Sequence, residues 1–125
     1  MDDGVVRHPL GRDLEGLLVY TPDGHVSVQL MRPGRTPYAG EDVGGGSRDE
    51  RAAAAAGYFA YAGTWRTDEA AGTVTHHVGL SLVPNWVGDV QLRHVRFHEE
   101  TLELSAPPMT IAGRTRTARL SWRRV

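Results

Sequence analysis

Two adjacent histidines, His76 and His77, lie within the run TVTHHVGLSL and are the first candidates for chemistry. Successive side chains of a strand point to opposite faces, so a regular strand cannot bring both imidazoles to one metal ion. His76 falls on the apolar side of the run, where a buried imidazole of tuned pKa suits a general acid or base. A histidine that merely satisfies its hydrogen bonds inside the core is the alternative that the sequence leaves open. His77 is expected at the outside or at an interface.

A second candidate is Arg93, which alternates with aliphatic residues in the strand-like run Val90–His98 and shares a face with Gln91. Val95 and Phe97 lie on the same side, which favours an inward orientation for this face. An inward Arg93 would clamp a carboxylate or enolate oxygen with its fixed fork of donors. If the opposite face points inward, Arg93 is a solvated surface residue.

Metal and covalent chemistry find little support in the sequence. His94 and His98 share a strand face but lie roughly 13 Å apart at strand rise, too far for one ion. Compact spacing of metal ligands is absent, so we expect no metal and no cofactor. The chain has no cysteine, and all of its 14 basic residues are arginine. Disulfides, cysteine nucleophiles and lysine Schiff bases are therefore excluded.

Short alternating runs separated by Gly and Pro predict a mostly antiparallel β-structure. Pro22-Asp23-Gly24 predicts a tight hairpin, and Ser47 with Glu50 has the spacing of a capping box that opens a short surface or lid helix ending at Gly57. The predicted strands are Gly16–Thr21, His25–Met31, Tyr58–Thr67, Thr73–Leu82, Val90–His98, Thr101–Ser105 and Arg114–Arg124. About seven strands with short sequential links favour an all-β, up-and-down barrel.

Strict period-two alternation makes a finer prediction for one of these strands. Val74, His76, Val78, Leu80 and Leu82 are expected to share its inward face.

Composition narrows the class of protein and its partners. A length of 125 residues fits one domain, residues 1–125, and the net charge of −1 argues against nucleic acid as a partner. No stretch approaches the roughly 18 apolar residues of a membrane span, so we expect no membrane partner. The N-terminal run MDDGVVRHPLGRD lacks the apolar region of a secretory signal. A cytoplasmic location is the resulting expectation.

Several runs closely resemble the bacterial and fungal lipocalin-like domain of the calycin type: PLGRDLEGLLVYTPDGHVSVQLMR, YFAYAGTWRTDEAAGTVTHHVGLSLVPNWVGDVQLRHVRF, LELSAPP and the terminal LSWRR. The similarity extends from Pro9 to Arg124. Its most specific elements are the YTPDG hairpin, the AYAG-W segment, the tandem HH, the PNW-G turn and the final W-R. The resemblance implies a small β-barrel whose inside accepts an apolar or mixed-polarity ligand. Related barrels include carriers as well as enzymes that cyclise or isomerise natural products.

The chain departs from this pattern at its start. Lipocalin-like chains usually begin with a strand that carries Gly-x-Trp, whereas only eight residues precede Pro9 here and none is tryptophan. Gly63-Thr64-Trp65 has the right letters but lies in mid-chain. We therefore expect the first strand to be missing and two barrel edges to be exposed. A second copy of the chain, in a homodimer, or the N-terminal arm is expected to cover the gap.

The site candidates follow from these placements. The catalytic candidates are His76 as acid or base, Tyr61 as hydrogen-bond donor and Arg93 as oxyanion stabiliser. The ligand-binding candidates are Tyr20, Gln29, Tyr61, Trp65, His76, Trp86, Gln91 and Arg93. Trp86 is expected to cap the barrel mouth, and Trp122 to be structural.

Three functions are compatible with such a barrel. The first is binding of a small hydrophobic or aromatic metabolite in the interior. The second is a cofactor-independent cyclase or isomerase that acts on a natural-product intermediate in the same pocket. The third is an interaction module whose barrel is filled by side chains. A cavity in the structure would favour the first two over the third.

Overall fold

A computed structural model describes residues 13–111, 113–116 and 118–124 of the chain. The elements in chain order are strand β1 (Glu15–Tyr20), strand β2 (His25–Met31), helix α1 (Arg48–Ala56), strand β3 (Tyr58–Asp68), strand β4 (Thr73–Ser81), a 3-10 turn (Pro84–Trp86), strand β5 (Val90–His98), strand β6 (Thr101–Ser105), strand β7 (Met109–Ile111), strand β8 (Arg114–Arg116) and strand β9 (Arg119–Arg123).

Seven strands form one antiparallel sheet in the order β1-β2-β3-β4-β5-β6-β9, and β7 pairs with β8 in a separate hairpin. The sheet curls into a nearly closed barrel, which confirms the predicted fold. The prediction of one strand over Arg114–Arg124 is wrong, because this segment forms two separate strands, β8 and β9. Arg114–Arg116 turns back onto β7, and the ladder with β6 begins at Arg119.

The predicted hairpin and helix start are both present. Thr21 N–H donates to the carbonyl of His25 across the β1–β2 turn at 2.8 Å. Ser47 Oγ accepts from Glu50 N–H, and Glu50 accepts from the backbone N–H groups of Ser47 and Ala39. Hydrogen bonds from these two backbone N–H groups hold the pKa of the Glu50 carboxyl below its ordinary value. α1 buries no residue, as expected for a helix of alanines, and neither it nor the 3-10 turn is long enough to cross a bilayer.

Alternation along β2 builds the centre of the core. Val26, Val28 and Leu30 are buried and pack with Tyr61 of β3 and Val78 of β4. These side chains share the inner face of the sheet, since partners in an antiparallel ladder point to the same side. The inner face of β2 is thus fully apolar.

A β-bulge interrupts the β3–β4 ladder and changes which residues face inward. The register shifts between Ala62 and Gly63, so Gly63 lies opposite Val78 whereas Ala62 lies opposite Leu80. Val78 remains buried, but Leu80 is 72% exposed and Leu82 44% exposed. The expected common face of β4 is therefore wrong beyond Val78, because a bulge inserts one residue and reverses the alternation after it.

The gap between β1 and β9, here called the seam, is where the barrel does not close through backbone hydrogen bonds in the described part of the chain. Side chains close it instead. Leu120 and Trp122 of β9 pack against the core cluster, and the indole of Trp122 lies over Gly16 of β1. The predicted covering role of the first eight residues falls outside the described residues.

Gly63 provides a test of the bulge. A Cβ atom at Gly63 would overlap the carbonyl oxygen of His77, whereas a Cβ at Gly79, on the facing strand, would meet its nearest neighbour at 3.9 Å. We expect Gly63→Ala to lower the free energy of unfolding by about 3 kcal/mol or to prevent folding. Gly79→Ala should change it by less than about 0.5 kcal/mol. Urea unfolding measures both, and equal effects would contradict the close approach.

Candidate functional site

His76 is the most deeply buried polar residue that the structure describes, with 1% of its surface exposed. Its two ring nitrogens are both engaged. Tyr20 Oη lies 2.6 Å from Nε2, and Tyr61 Oη lies 2.6 Å from Nδ1. The three rings also pack against one another, with centroids 5.5 Å apart for Tyr20–His76 and 5.7 Å for Tyr61–His76.

The chemistry of a neutral imidazole makes these two hydrogen bonds unequal. One ring nitrogen carries a proton and donates, and the other accepts. One tyrosine therefore donates its O–H to the ring, and the other accepts the ring N–H. The accepting tyrosine keeps its own O–H free to donate elsewhere. Since the tautomers can exchange these roles, the arrangement offers a hydroxyl donor from either side of the ring.

Burial keeps this group of side chains uncharged. It lowers the pKa of His76 to about 4, and the nearby charge of Arg93 acts in the same direction. Burial also raises the pKa of the Tyr20 and Tyr61 phenols, against a smaller opposite effect of Arg93. At neutral pH the Tyr20–His76–Tyr61 chain is therefore a set of oriented dipoles rather than charges.

Arg93 brings a cation to this neutral chain. Gln91, Arg93 and Val95 are half-buried, whereas Val90 and Leu92 are exposed, so the Arg93 face of β5 points inward. Burial lowers the pKa of the Arg93 guanidinium, which Tyr61 and Tyr20 partly oppose. Arg93 Nη1 donates to the carbonyl of Leu92 at 2.9 Å. Within the described residues it forms no ion pair with a carboxylate.

We call Tyr20, Tyr61, His76 and Arg93 the polar cluster. Its members come from β1, β3, β4 and β5. Gln91 stands directly opposite His76 in the β4–β5 ladder, which adds an amide on the same inner face.

Two tryptophans surround the polar cluster. Trp65 meets Tyr20 edge-on at 5.3 Å between centroids and donates its indole N–H to the carbonyl of Thr21 at 3.1 Å. Trp86 packs against Phe59 at 5.0 Å and Tyr61 at 5.5 Å. Trp86 ends the 3-10 turn between β4 and β5. Both rings orient the tyrosines that hold His76.

Gln29 is placed differently from what the sequence analysis expects. It alternates with the buried Val28 and Leu30, so it lies on the outer face of β2. There it accepts a hydrogen bond from the Tyr58 hydroxyl. This corrects its expected position in the barrel interior, and period-two alternation is the physical reason.

A cavity of about 520 Å³ opens at the seam. Its walls are Gly16, Leu17, Leu18 and Tyr20 of β1, Phe97 of β5, Leu102 of β6 and Trp122 of β9, with the β5–β6 turn and the two arginines after Trp122 at its rim. Tyr20 belongs both to this wall and to the polar cluster. Tyr20 is therefore the residue that connects the cavity to the polar cluster.

Trp122, which the sequence analysis expects to be structural, lines a cavity in the structure. Its indole Nε1 is buried and has no hydrogen-bond partner among the described residues. Leaving such a donor unpaired costs about 1–3 kcal/mol. Trp122 lines the seam cavity, and the period-two pattern of β9 was the available sign that it faces inward with Leu120.

The other histidines that the structure describes, including His25, do not join the polar cluster. His77, His94 and His98 are exposed. Across the ranges that the structure describes, no group of three or more His, Cys, Asp or Glu side chains is placed to hold a metal ion.

The low pKa of His76 predicts a specific pH dependence. An imidazole of the unfolded chain takes a proton near pH 6.5, but the folded protein resists protonation until about 4. The unfolded state binds more protons in between, so the free energy of unfolding should fall by about 3 kcal/mol as the pH drops through this window. Above pH 6.5 the contribution is fully present.

Two neighbouring variants isolate this effect. His76→Gln should lose that part of the pH dependence, whereas His77→Gln, exposed on the same strand, should retain it. Urea unfolding followed by circular dichroism at several pH values between 4 and 7 measures both. A wild-type slope that persists unchanged in His76→Gln would contradict the assignment.

Comparison with known proteins identifies the family of this chain. A family model described as a lipocalin-like domain matches residues 1–125. The chain is similar to a protein of Aspergillus oryzae named 4'-hydroxy-3'-methoxypropiophenone carrier protein ppsC, with 36% identity over 107 residues that cover 80% of this chain and 96% of that protein. No solved structure matches the chain significantly. The barrel and the full-length match agree, and the chain belongs to the lipocalin-like domain family.

Proposed function

We propose that this protein is a carrier that binds a small aromatic metabolite bearing an electron-rich oxygen. The observation that supports it most is Arg93, a half-buried arginine without a carboxylate partner among the described residues, set beside the neutral Tyr20–His76–Tyr61 chain. The rest of the inner face is largely apolar. A few convergent polar groups in an apolar pocket are typical of small-molecule sites.

Arg93 favours a particular ligand chemistry. A partly buried cation is destabilised unless an anion or several acceptors compensate it. A carboxylate, enolate or phenolate oxygen of the ligand would supply that compensation through charge-assisted hydrogen bonds. The free hydroxyl of Tyr20 or Tyr61 would then donate to the same oxygen or to one next to it.

The cargo named for the similar fungal protein fits this chemistry. It is an aryl ketone with a phenol para to the acyl group. The carbonyl withdraws charge from such a phenol and makes it more acidic than an alkylphenol, so its phenolate is an accessible partner for a guanidinium. We infer that this chain binds a ligand of the same class, an acylated phenol or a related vinylogous acid.

A carrier is favoured over an enzyme by the state of His76. An imidazole with a pKa of about 4 is a weak base at neutral pH. The alternative, a cyclase or isomerase without a cofactor, is supported by the ring's position between two phenols, which could move a proton from one to the other. Recovery of the ligand chemically unchanged after incubation would favour the carrier.

Binding should depend on Arg93 and on the ketone. Arg93→Met is expected to weaken binding of 4'-hydroxy-3'-methoxypropiophenone by about tenfold or more, because the phenolate loses its cation. Arg96→Met, on the exposed face of the same strand, should bind as the wild type does. Isothermal titration calorimetry at pH 8 measures these affinities.

A ligand control sharpens that experiment. The analogue 2-methoxy-4-propylphenol lacks the carbonyl, so its phenol stays protonated, and Arg93→Met should reduce its affinity much less. Equal losses for both compounds would show that Arg93 acts through shape rather than charge. Unchanged binding of the ketone by Arg93→Met would contradict the proposal.

We also propose a homodimer in which a second copy covers the edge of β1. β1 is an edge strand of the described sheet, and an apolar groove of about 310 Å³ adjoins it on the outer face, lined in part by Val19, Ala62 and Leu80. Unpaired edges beside apolar surface favour association. Native mass spectrometry should show two chains, and a monomer at micromolar concentration would contradict the dimer.

A cytoplasmic location stays a prediction.

A further inference from the structure

We propose that the side-chain amide of Gln91 determines ligand specificity by donating a hydrogen bond to an acyl oxygen of the ligand, while Arg93 binds the acidic oxygen. This inference rests on the proposed carrier function and narrows its ligand class. The ligand is an aromatic molecule with a phenol and an acyl oxygen at opposite ends of the ring. It would lie lengthwise along the inner face of β5.

The first argument is the position of the amide. Gln91 and Arg93 share the inner face of β5, and both are half-buried. In the β4–β5 ladder Gln91 stands opposite His76, and Arg93 stands opposite Val74. Directly opposite residues of antiparallel strands have Cβ atoms about 5 Å apart. The amide of Gln91 therefore extends from the strand beside the buried imidazole.

The second argument is the contrast between the two glutamines of the chain. Gln29, on the outer face, accepts a hydrogen bond from the Tyr58 hydroxyl and donates one to Ser27. The Gln91 amide has no hydrogen-bond partner among the described residues. His76 cannot serve as its partner, because both ring nitrogens are already bonded to tyrosines. Side-chain amides away from solvent normally find a partner, and a ligand oxygen would supply it here.

The amide of Gln91 is also within reach of a ligand atom. Among the described residues that are not exposed, Trp122 Nε1 is the one side-chain nitrogen or oxygen that is both buried and unpaired. The Gln91 amide is unpaired too, so it keeps surface that another molecule can touch. Arg93 uses Nη1 for the carbonyl of Leu92, and an arginine has five N–H donors. Both residues therefore have donors left for a ligand.

The third argument is the spacing of these donors. Residues two apart on a strand are separated by about 7 Å, and their side chains stand roughly perpendicular to the sheet. In a para-acyl phenol the aromatic ring and the carbonyl carbon separate the two oxygens by a similar length. Ionisation of the phenol also spreads negative charge onto the acyl oxygen, which makes it a stronger acceptor. Arg93 and Gln91 thus match such an anion at both of its charged ends.

Nuclear magnetic resonance of the side-chain amides tests the proposal. The chain has two glutamines and one asparagine, so protein labelled with nitrogen-15 shows only three pairs of these signals. Gln29→Leu and Asn85→Asp variants assign them by exclusion. We expect one N–H signal of Gln91 to move downfield as 4'-hydroxy-3'-methoxypropiophenone is added, while the Gln29 pair stays in place. A Gln91 pair that does not respond to saturating ketone would overturn the inference.

Gln91→Leu provides the matching affinity measurement. Leucine is similar in size but has no donor, and we expect the ketone to bind roughly fivefold to tenfold more weakly at pH 8. The analogue 2-methoxy-4-propylphenol has no acyl oxygen and should bind to Gln91→Leu and to the wild type alike. Gln29→Leu, altered on the outer face, is the control and should bind the ketone as the wild type does. Circular dichroism shows whether Gln91→Leu is folded, and if it is not, the amide titration of the wild type decides.

The possible outcomes separate this inference from the carrier function. If the wild type does not bind the ketone, the proposed function fails and this inference fails with it. If Arg93→Met weakens binding of the ketone but Gln91→Leu leaves it unchanged, only this inference is overturned. Equal losses for the ketone and the analogue in Gln91→Leu would show that Gln91 acts by filling space, and would overturn it as well.

Discussion

The hydrogen bond between Tyr20 and His76 is the contact on which the shape of this barrel depends. The two residues lie on β1 and β4, and strands β2 and β3 lie between these two strands in the sheet. Across a flat sheet their strands would be about 14 Å apart, yet Tyr20 Oη reaches Nε2 at 2.6 Å. The sheet must curl for this contact to form. The buried imidazole needs hydrogen-bond partners on both nitrogens. The curling of the sheet, the burial of His76 and the assembly of the polar cluster therefore depend on one another.

The bulge beside Gly63 works in the same direction. Bulges increase local twist and bend the strand that carries them, and this one follows His76 and Val78 along β4. Before it the apolar alternation faces the interior, and after it Leu80 turns to the outside. The backbone of β3 approaches His77 so closely that only a residue without Cβ fits at position 63. A sheet that curls at this point leaves its first and last strands facing each other across the seam.

Much of this architecture follows from alternation, and the failures have physical causes. Turn and cap residues predict the hairpin and the capping box, and period-two alternation predicts the strands and the inward sides of His76 and Arg93. The prediction that Gln29 lines the interior is wrong, although its alternation with Val28 and Leu30 in β2 indicates the outer face. Leu80 could not be predicted, because a bulge arises from pairing with another strand. The unpaired N–H of Trp122 is a tertiary property, since it depends on whether a residue distant in the sequence places an acceptor beside it.

The neutrality of Tyr20, His76 and Tyr61 connects the stability of the polar cluster to its chemistry. Burial depresses the pKa of His76 and raises those of both tyrosines, so the groups that could transfer protons are held in their uncharged forms. Stable, preorganised dipoles recognise an oxygen without changing it, while a strong base would exchange protons with it. Arg93 is the one cation of the cluster, and a guanidinium gives up no proton at physiological pH. Fixed dipoles and a permanent charge are therefore the physical basis of the proposed carrier role for an acidic aromatic molecule.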